Sequence, residues 1–188
     1  MSSPGILILS APSGAGKTSL AKALVDSREN AQLTVSHTTR KQRPGEVDGQ
    51  HYFFVEKSEF ETMIQSDDFI EHAVVFDHYY GTSVKSIDTL LSNGKHAILD
   101  IDWQGARNVR NKFPQAKSCF IMPPSLQSLE MRLRQRQQDS EAVILRRMRD
   151  AKNEMGHRSE YDQVIVNDNF EEALKELQTI LKNLDHDD

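Results

Sequence analysis

Residues Ile6 to Leu20, ILILSAPSGAGKTSL, leave few folds open to this chain. Four apolar residues, Ile6 to Leu9, read as a short buried strand. A turn of small residues follows, Ala11-Pro12-Ser13-Gly14-Ala15-Gly16, and Lys17 and Thr18 then open a helical pattern of Leu20, Ala21, Ala23 and Leu24. Strand, small-residue loop and Gly-Lys-Thr at a helix start are the setting that a phosphate-binding loop requires. Small residues are needed because backbone N–H groups must curl around phosphate oxygens, which bulky side chains would obstruct. The helix N-terminus adds partial positive charge, Lys17 brings a mobile ammonium, and Thr18 offers a hydroxyl to Mg2+. The strict pattern has Gly at the first loop position, where this chain has Ala11. A turn that merely caps a helix would explain a glycine or two and the threonine, but not a lysine at that place after a buried strand.

A chain of 188 residues is long enough for one good core with an inserted lobe. A net charge of -5 argues against a nucleic-acid partner, while a local positive site can still bind anions. The single cysteine, Cys119, sits in the apolar run Ser118 to Met122 and reads as a core residue in a reducing compartment, with no disulfide within the monomer. No basic region precedes the first apolar strand, which is too short for a signal peptide or a membrane span, so no membrane partner and a cytoplasmic location are expected. Either a monomer or a homo-oligomer is compatible with the sequence.

Beyond the first helix (about 16–27), Leu33-Thr34-Val35 reads as a short strand, and Ser36 to Glu46 as a polar loop broken by Pro44 and Gly45. Arg40 and Arg43 in that loop fit either a solvated basic turn or a grip on a second phosphoryl-bearing substrate, for which guanidinium forks are suited. Gly49 to Val55 predicts a turn into an aromatic strand. Lys57 to Ile64 predicts a helix, with Phe60, Met63 and Ile64 inward and Ser58 and Glu61 as a capping box. Phe69 to Val75 predicts a strand interrupted by Glu71, and Asp77 to Ser83 a polar turn. His72 and His78 lack any zinc-ligand spacing and read as ordinary hydrogen-bonded or surface residues. The run of short elements from Ser36 to Ser83 breaks the strand–helix rhythm and reads as a small lobe inserted into the core.

A helix carrying Ile87, Leu90 and Leu91 stops at Asn93-Gly94. Ala97 to Asp102 then predicts a strand in which Asp100 and Asp102 share one face near the C-terminal end, where parallel sheets place their ligands. Such carboxylates can orient hydrated Mg2+, accept from a substrate base or hold a basic residue in place. Helices over about 103–113 and 125–137 flank the core strand 118–122. Six arginines between Arg132 and Arg149 straddle the break Asp139-Ser140-Glu141 and suggest two helices forming a mobile lid that excludes water and lays guanidinium groups against developing charge. Gln163 to Val166 is the last core strand, and Phe170 to Leu184 stripe a C-terminal helix capped by Asp168 with Glu171, after which Asp185 to Asp188 fray. The resulting class is α/β: a P-loop NTPase core with a parallel sheet flanked by helices (1–35, 84–124 and 158–188), a small mixed α/β lobe (36–83) and an arginine-rich helical lid (125–157).

Taken in order, SAPSGAGKTSL, SHTTRKQRPGEVDGQHYFF, FIEHAVVFDHYYGTS, AILDIDWQGA, the arginine-rich segment and VIVND resemble guanylate kinase of the bacterial type, over about Gly5 to Leu184. The resemblance implies a P-loop kinase moving a phosphoryl group from ATP to GMP (or dGMP) to give ADP and GDP, with Mg2+. It implies that Arg40, Arg43, Tyr52 and Tyr80 hold the GMP phosphate, that Ser36, Glu71 and Thr82 read the guanine, and that Asp102 adds a contact on the GMP side. Asp100 resembles its partner near the metal and phosphate site, reaching Mg2+ through water. On the ATP side the matches are Ala11, Pro12, Ser13, Gly14, Ala15, Gly16, Lys17 and Thr18 in the loop, with Asn167 and Asp168 beside the adenine. Arg136 and Arg147 resemble lid arginines that reach the phosphates, and with Lys17, Arg40 and Asp100 make up the catalytic set. The chemistry of guanine agrees with Glu71: adjacent N1–H and N2–H donors suit one carboxylate, and adenine lacks that pair. Family members often have Gly after the lid arginine, whereas this chain has Gln137 and Gln138, a departure expected to stiffen the lid hinge without removing function. Competing readings are a catalytically inactive protein-binding module of the same family, in which degraded loop or lid residues would be expected, a P-loop kinase for another nucleoside monophosphate, and a purely structural domain.

Overall fold

The computed structural model describes residues 3–135 and 140–185. Five parallel strands form the core sheet in the order β2-β7-β1-β8-β9: β1 (Ile6–Ser10), β2 (Ala31–Leu33), β7 (His96–Asp100), β8 (Lys117–Met122) and β9 (Gln163–Val166). A parallel sheet needs cover on both faces, so its strands read as continuous apolar runs. On one face Leu7, Leu9, Cys119 and Ile121 pack against α1 (Lys17–Asp26) and α7 (Phe170–Leu184). On the other, Ile6, Ile8, Leu99 and Phe120 pack against α3 (Val84–Ser92) and α4 (Trp103–Lys112). Cys119 is fully buried, and burial pushes its thiol up to about 12, as befits a core residue. Because β1 lies beside β7 with Leu9 opposite Asp100, the loop leaving β1 and the carboxylate ending β7 emerge side by side.

A second, mixed sheet of order β4-β3-β6-β5 is inserted between β2 and α3. It comprises β3 (His37–Thr38), β4 (Phe53–Phe54), β5 (Phe69–Val75) and β6 (His78–Ser83), with α2 (Lys57–Gln65) alongside. Beyond β8, α5 (Leu126–Gln135) and α6 (Glu141–Gly156) bury Leu129, Leu133 and Ala151 between them. Arg136, Gln137 and Gln138 lie outside the described residues. Among those described, no helix is long and apolar enough to cross a membrane.

Several local expectations are corrected. The segment Asp77–Ser83 is not a turn but mostly strand β6. Phe76 and Asp77, at φ 49° and 67°, make the tight turn that folds it back onto β5. The second strand is β2 at 31–33 rather than 33–35, because its partner β7 begins at His96, opposite Ala31. Helix α2 starts after Glu56 with no side-chain cap, so Ser58 lies inside it. Asp102 is not on strand β7; it caps α4, accepting the Gly105 N–H at 2.8 Å. The cap of α7 is Asn169, whose Oδ1 accepts from both Glu171 and Glu172, in place of Asp168. Asp185 is docked rather than frayed: it accepts from Arg28 at 2.5 Å and pairs with His96 Nε2 at 2.9 Å, tying the end of α7 to the start of the sheet.

Candidate active site

Helix α1 is preceded by Gly16, whose φ of 94° is left-handed and which has no side chain to cap the helix. Its first N–H groups are thus left to an outside acceptor. A Cβ on Gly16 would stand 2.5 Å from Asn167 Nδ2, so glycine is required by both conformation and space. From behind, the Asn167 amide donates to the Ala15 carbonyl at 2.8 Å, and Arg132 donates to the Asn167 carbonyl at 2.9 Å and to Ala15 at 3.4 Å. These bonds fix the loop's curvature.

In front of the loop, Lys17 Nζ lies 2.6 Å from Asp100 Oδ1 and donates to the Ile101 carbonyl at 2.9 Å. Burial alone would lower the Lys17 ammonium, but Asp100, with Asp102 and Glu154 behind it, holds it above its ordinary value. The lysine is charged at every physiological pH. Thr18 Oγ1 donates to the other Asp100 oxygen at 3.0 Å, so one carboxylate orients both the cation and the hydroxyl.

Across the cleft, Glu71 is 5% exposed on β5. The Thr82 backbone N–H donates to its Oε1 at 2.9 Å, and Ser36 and Thr82 hydroxyls are bonded to each other at 3.1 Å beside it. Burial, aided by the charge of Asp102, pushes the Glu71 carboxyl up to about 7. Arg40 is gripped by Glu46 through two bonds of 2.7 and 3.0 Å and lies over the Tyr52 ring, 5.4 Å from its centre. Tyr52 and Tyr80 meet edge to face. Burial and the nearby Asp100 charge push the Tyr52 phenol up to about 12, so it remains a hydrogen-bond donor at neutral pH.

A cleft of about 300 Å³ joins these parts. Of the residues expected from sequence, it is lined by Ala11, Pro12, Ser13, Gly14, Gly16, Lys17, Thr18, Ser36, Arg43, Tyr52, Glu71, Tyr80, Asp100, Asp102 and Arg147. Ala15 is buried beneath the loop, Thr82 is buried behind Glu71, Arg40 stands beside Arg43 in the pair with Glu46, Asn167 braces the loop and Asp168 is exposed at the end of β9. Arg136 is outside the described residues. Arg146 and Arg147 of α6 stack over Phe76, which brings the arginine-rich helix against the hairpin of the inserted sheet.

Two participants escaped the sequence reading. Glu46 could have been found as the acidic residue closing the Arg40–Arg43 loop. Glu154 could not, because it reaches the site from far along the chain. Its carboxylate accepts the Ser13 N–H at 3.3 Å, and burial, against the pull of Lys17, pushes it up to about 7.

An anion cradle at a helix start, a fixed cation and a facing pocket with its own carboxylate and arginines place the chain among P-loop kinases of nucleoside monophosphates. A family profile described as guanylate kinase matches residues 3–184. The chain is 56% identical over 177 residues to the guanylate kinase of Methylococcus capsulatus, covering 94% of this chain and 87% of that protein. It is 55% identical over 179 residues to that of Escherichia coli K12, covering 94% and 86%. The crystal structure of guanylate kinase from Anaplasma phagocytophilum superposes with a TM-score of 0.81 at 36% identity, over 97% of this chain and 86% of that one. The chain therefore belongs to the guanylate kinase family, whose members use Mg-ATP. The SH3-kinase fragment of tight junction protein 3 shares the fold alone, at 13% identity and a TM-score of 0.55.

Proposed function

We infer that in transferring a phosphoryl group from ATP to GMP this chain binds the ATP phosphates on the loop from Ala11 to Thr18 and GMP against Ser36, Arg43, Tyr52, Glu71, Tyr80 and Thr82. On this reading the core (1–35, 84–124 and 158–188) carries ATP, the inserted lobe (36–83) carries GMP, and the helical segment (125–157) closes over both, bringing Arg147 and Arg136 to the phosphates. The observation that carries the reading is the meeting, in one cleft, of the Lys17–Asp100–Thr18 cluster with the buried Glu71.

The chemistry needs no covalent intermediate. Attack by a GMP phosphate oxygen on the γ-phosphorus of ATP forms one P–O bond as the bond to ADP breaks, and in-line positioning with charge stabilisation supplies most of the rate. Lys17 sits close enough to the loop to exchange part of its contact with Asp100 for phosphate oxygens. Arg40, held in place by Glu46, keeps donors beyond the two that Glu46 engages, and with Arg43, Tyr52 and Tyr80 it fixes the acceptor phosphate. Glu71 accepts from guanine N1–H and N2–H, with Ser36 and Thr82 beside it. Asp102, already satisfied by Gly105 and Gln104, supports this side chiefly by its charge and place in the cleft. Asn167 serves by holding the loop, and Asp168 borders the adenine.

The donors present suit Mg2+. Thr18 hydroxyl and Asp100 carboxylate are adjacent hard oxygens, and among the described residues no cluster of three or more His, Cys, Asp or Glu side chains competes as a metal cage. Mg2+ takes few protein ligands and completes its shell with water and substrate phosphates, so Thr18, and Asp100 through water, would be enough to hold it. Held there, the ion would supply neutralisation of phosphate charge.

The test is Glu71→Gln. Loss of a charge-assisted acceptor costs about 1.5–3 kcal/mol, a rise of roughly ten- to a hundredfold in KM for GMP, while KM for ATP stays within about twofold. Equal losses for both nucleotides would refute the base-reading role.

A further inference from the structure

We propose that Gly105 is a positioning residue for Glu71, and that its lack of a side chain sets the preference for a purine carrying a 2-amino group. The proposal rests on the reading of Glu71 as the acceptor of the guanine edge. Gly105 lies in the first turn of α4, where alanine would be the better helix former. Space, not helix propensity, accounts for the glycine. A Cβ there would collide with Glu71 Oε2 and stand 3.0 Å from its Cδ and 3.5 Å from Asp102 Oδ1.

Neither partner can yield cheaply. The other Glu71 oxygen is held by the Thr82 N–H at 2.9 Å, and the side chain is buried. Helix α4 is fixed at its start by the Asp102 cap and at its end by Lys112, whose ammonium donates to the Phe69 carbonyl of β5 at 3.2 Å. Since side-chain torsions are softer than a pinned helix, a methyl at position 105 swings the Glu71 carboxylate away from Thr82. Gly105 thus holds two carboxylates in order, giving Asp102 an N–H and Glu71 a bare Cα to lie against. Displacing the Glu71 carboxylate separates it from the N1–H and N2–H pair, and the N2 donor is what distinguishes GMP from IMP.

The experiment measures kcat and KM for GMP, IMP and ATP in the wild type, Gly105→Ala, Glu71→Gln and the double variant. Gly105→Ala should raise KM for GMP about tenfold, leave KM for ATP within about twofold and shrink the GMP-to-IMP ratio of kcat/KM about tenfold. On the Glu71→Gln background the same change should add little to the loss of discrimination, because Gly105 acts through Glu71. Wild-type discrimination in Gly105→Ala, with discrimination lost in Glu71→Gln, would overturn the role of Gly105 alone. Discrimination intact in Glu71→Gln would overturn the reading of Glu71 itself. If Gly105→Ala lowers Tm too far to assay, it is placed on a Glu71→Ala background, where the obstructing carboxylate is gone. Recovery of Tm there supports the contact, and failure to recover overturns it.

Discussion

Lowering the pH from about 8 to about 6 should weaken GMP binding roughly tenfold through one carboxyl, that of Glu71. Burial pushes this group from 4.5 up to about 7. Ionising it therefore costs the unliganded fold about 3 kcal/mol, a penalty that builds as the pH rises between those two values. On the proposed role of Glu71, guanine's two donors would offset that penalty, because they would bind the ionised form. With a midpoint near 7, about nine-tenths of the molecules carry the carboxylate at pH 8 and about one-tenth at pH 6. Affinity should fall accordingly, and binding below the midpoint should release close to one proton. Calorimetry with GMP alone, in buffers of different ionisation heat, measures both quantities. The GMP phosphate titrates near 6, so Glu71→Gln serves as the control that keeps the phosphate contribution and removes the carboxyl. If the wild type and Glu71→Gln show the same pH profile and the same proton release, Glu71 does not face the base.

Lys17→Ala should lower kcat/KM by about 10²–10³, the effect of losing one key donor to transition-state charge, and a ratio near wild type would sink that assignment. If Ser13 N–H takes an ATP phosphate as proposed, ionised Glu154 would compete for it, so KM for ATP should rise as the pH passes about 7. Glu154→Gln should flatten that rise and lower KM for ATP about fivefold at high pH; an unchanged profile would show that Glu154 does not sense the loop's ligand. Although burial alone would raise the Asp185 carboxyl, His96 and Arg28 hold it below 3.8. Its contribution to stability is therefore complete above that pH and lost as the pH falls through the lower, folded value. Asp185→Asn should cost about 1–2 kcal/mol at neutral pH, seen as a fall of about 2–8 °C in Tm, and no fall would mean the end of α7 is not held by this pair.

The phosphate loop was legible because backbone chemistry dictates its residue types: only small side chains let N–H groups surround an anion, and only a buried strand before them fixes the turn. Glu71 stood out for a related reason, as a carboxylate inside an apolar run. Strand β6 did not. His-Tyr-Tyr-Gly-Thr-Ser has the composition of a turn, and it becomes a strand only because Phe76 and Asp77 adopt positive φ and lay it against β5. Asp102 shows how a sound local rule can fail. Alternation would put it on the face of Asp100, but the strand stops at Asp100 and the helix cap takes Asp102 into the same cleft by another route. Glu154 on Ser13, Asp185 on Arg28 and Gly105 under Glu71 are contacts between distant segments, and no local pattern encodes them.

Phosphoryl transfer from ATP to GMP is read directly as ADP formation from Mg-ATP with GMP, AMP, UMP or CMP supplied separately as acceptor. Strong turnover with GMP and little with the other three is the predicted result. Comparable turnover with AMP, or none with any acceptor despite ATP binding, would contradict the account.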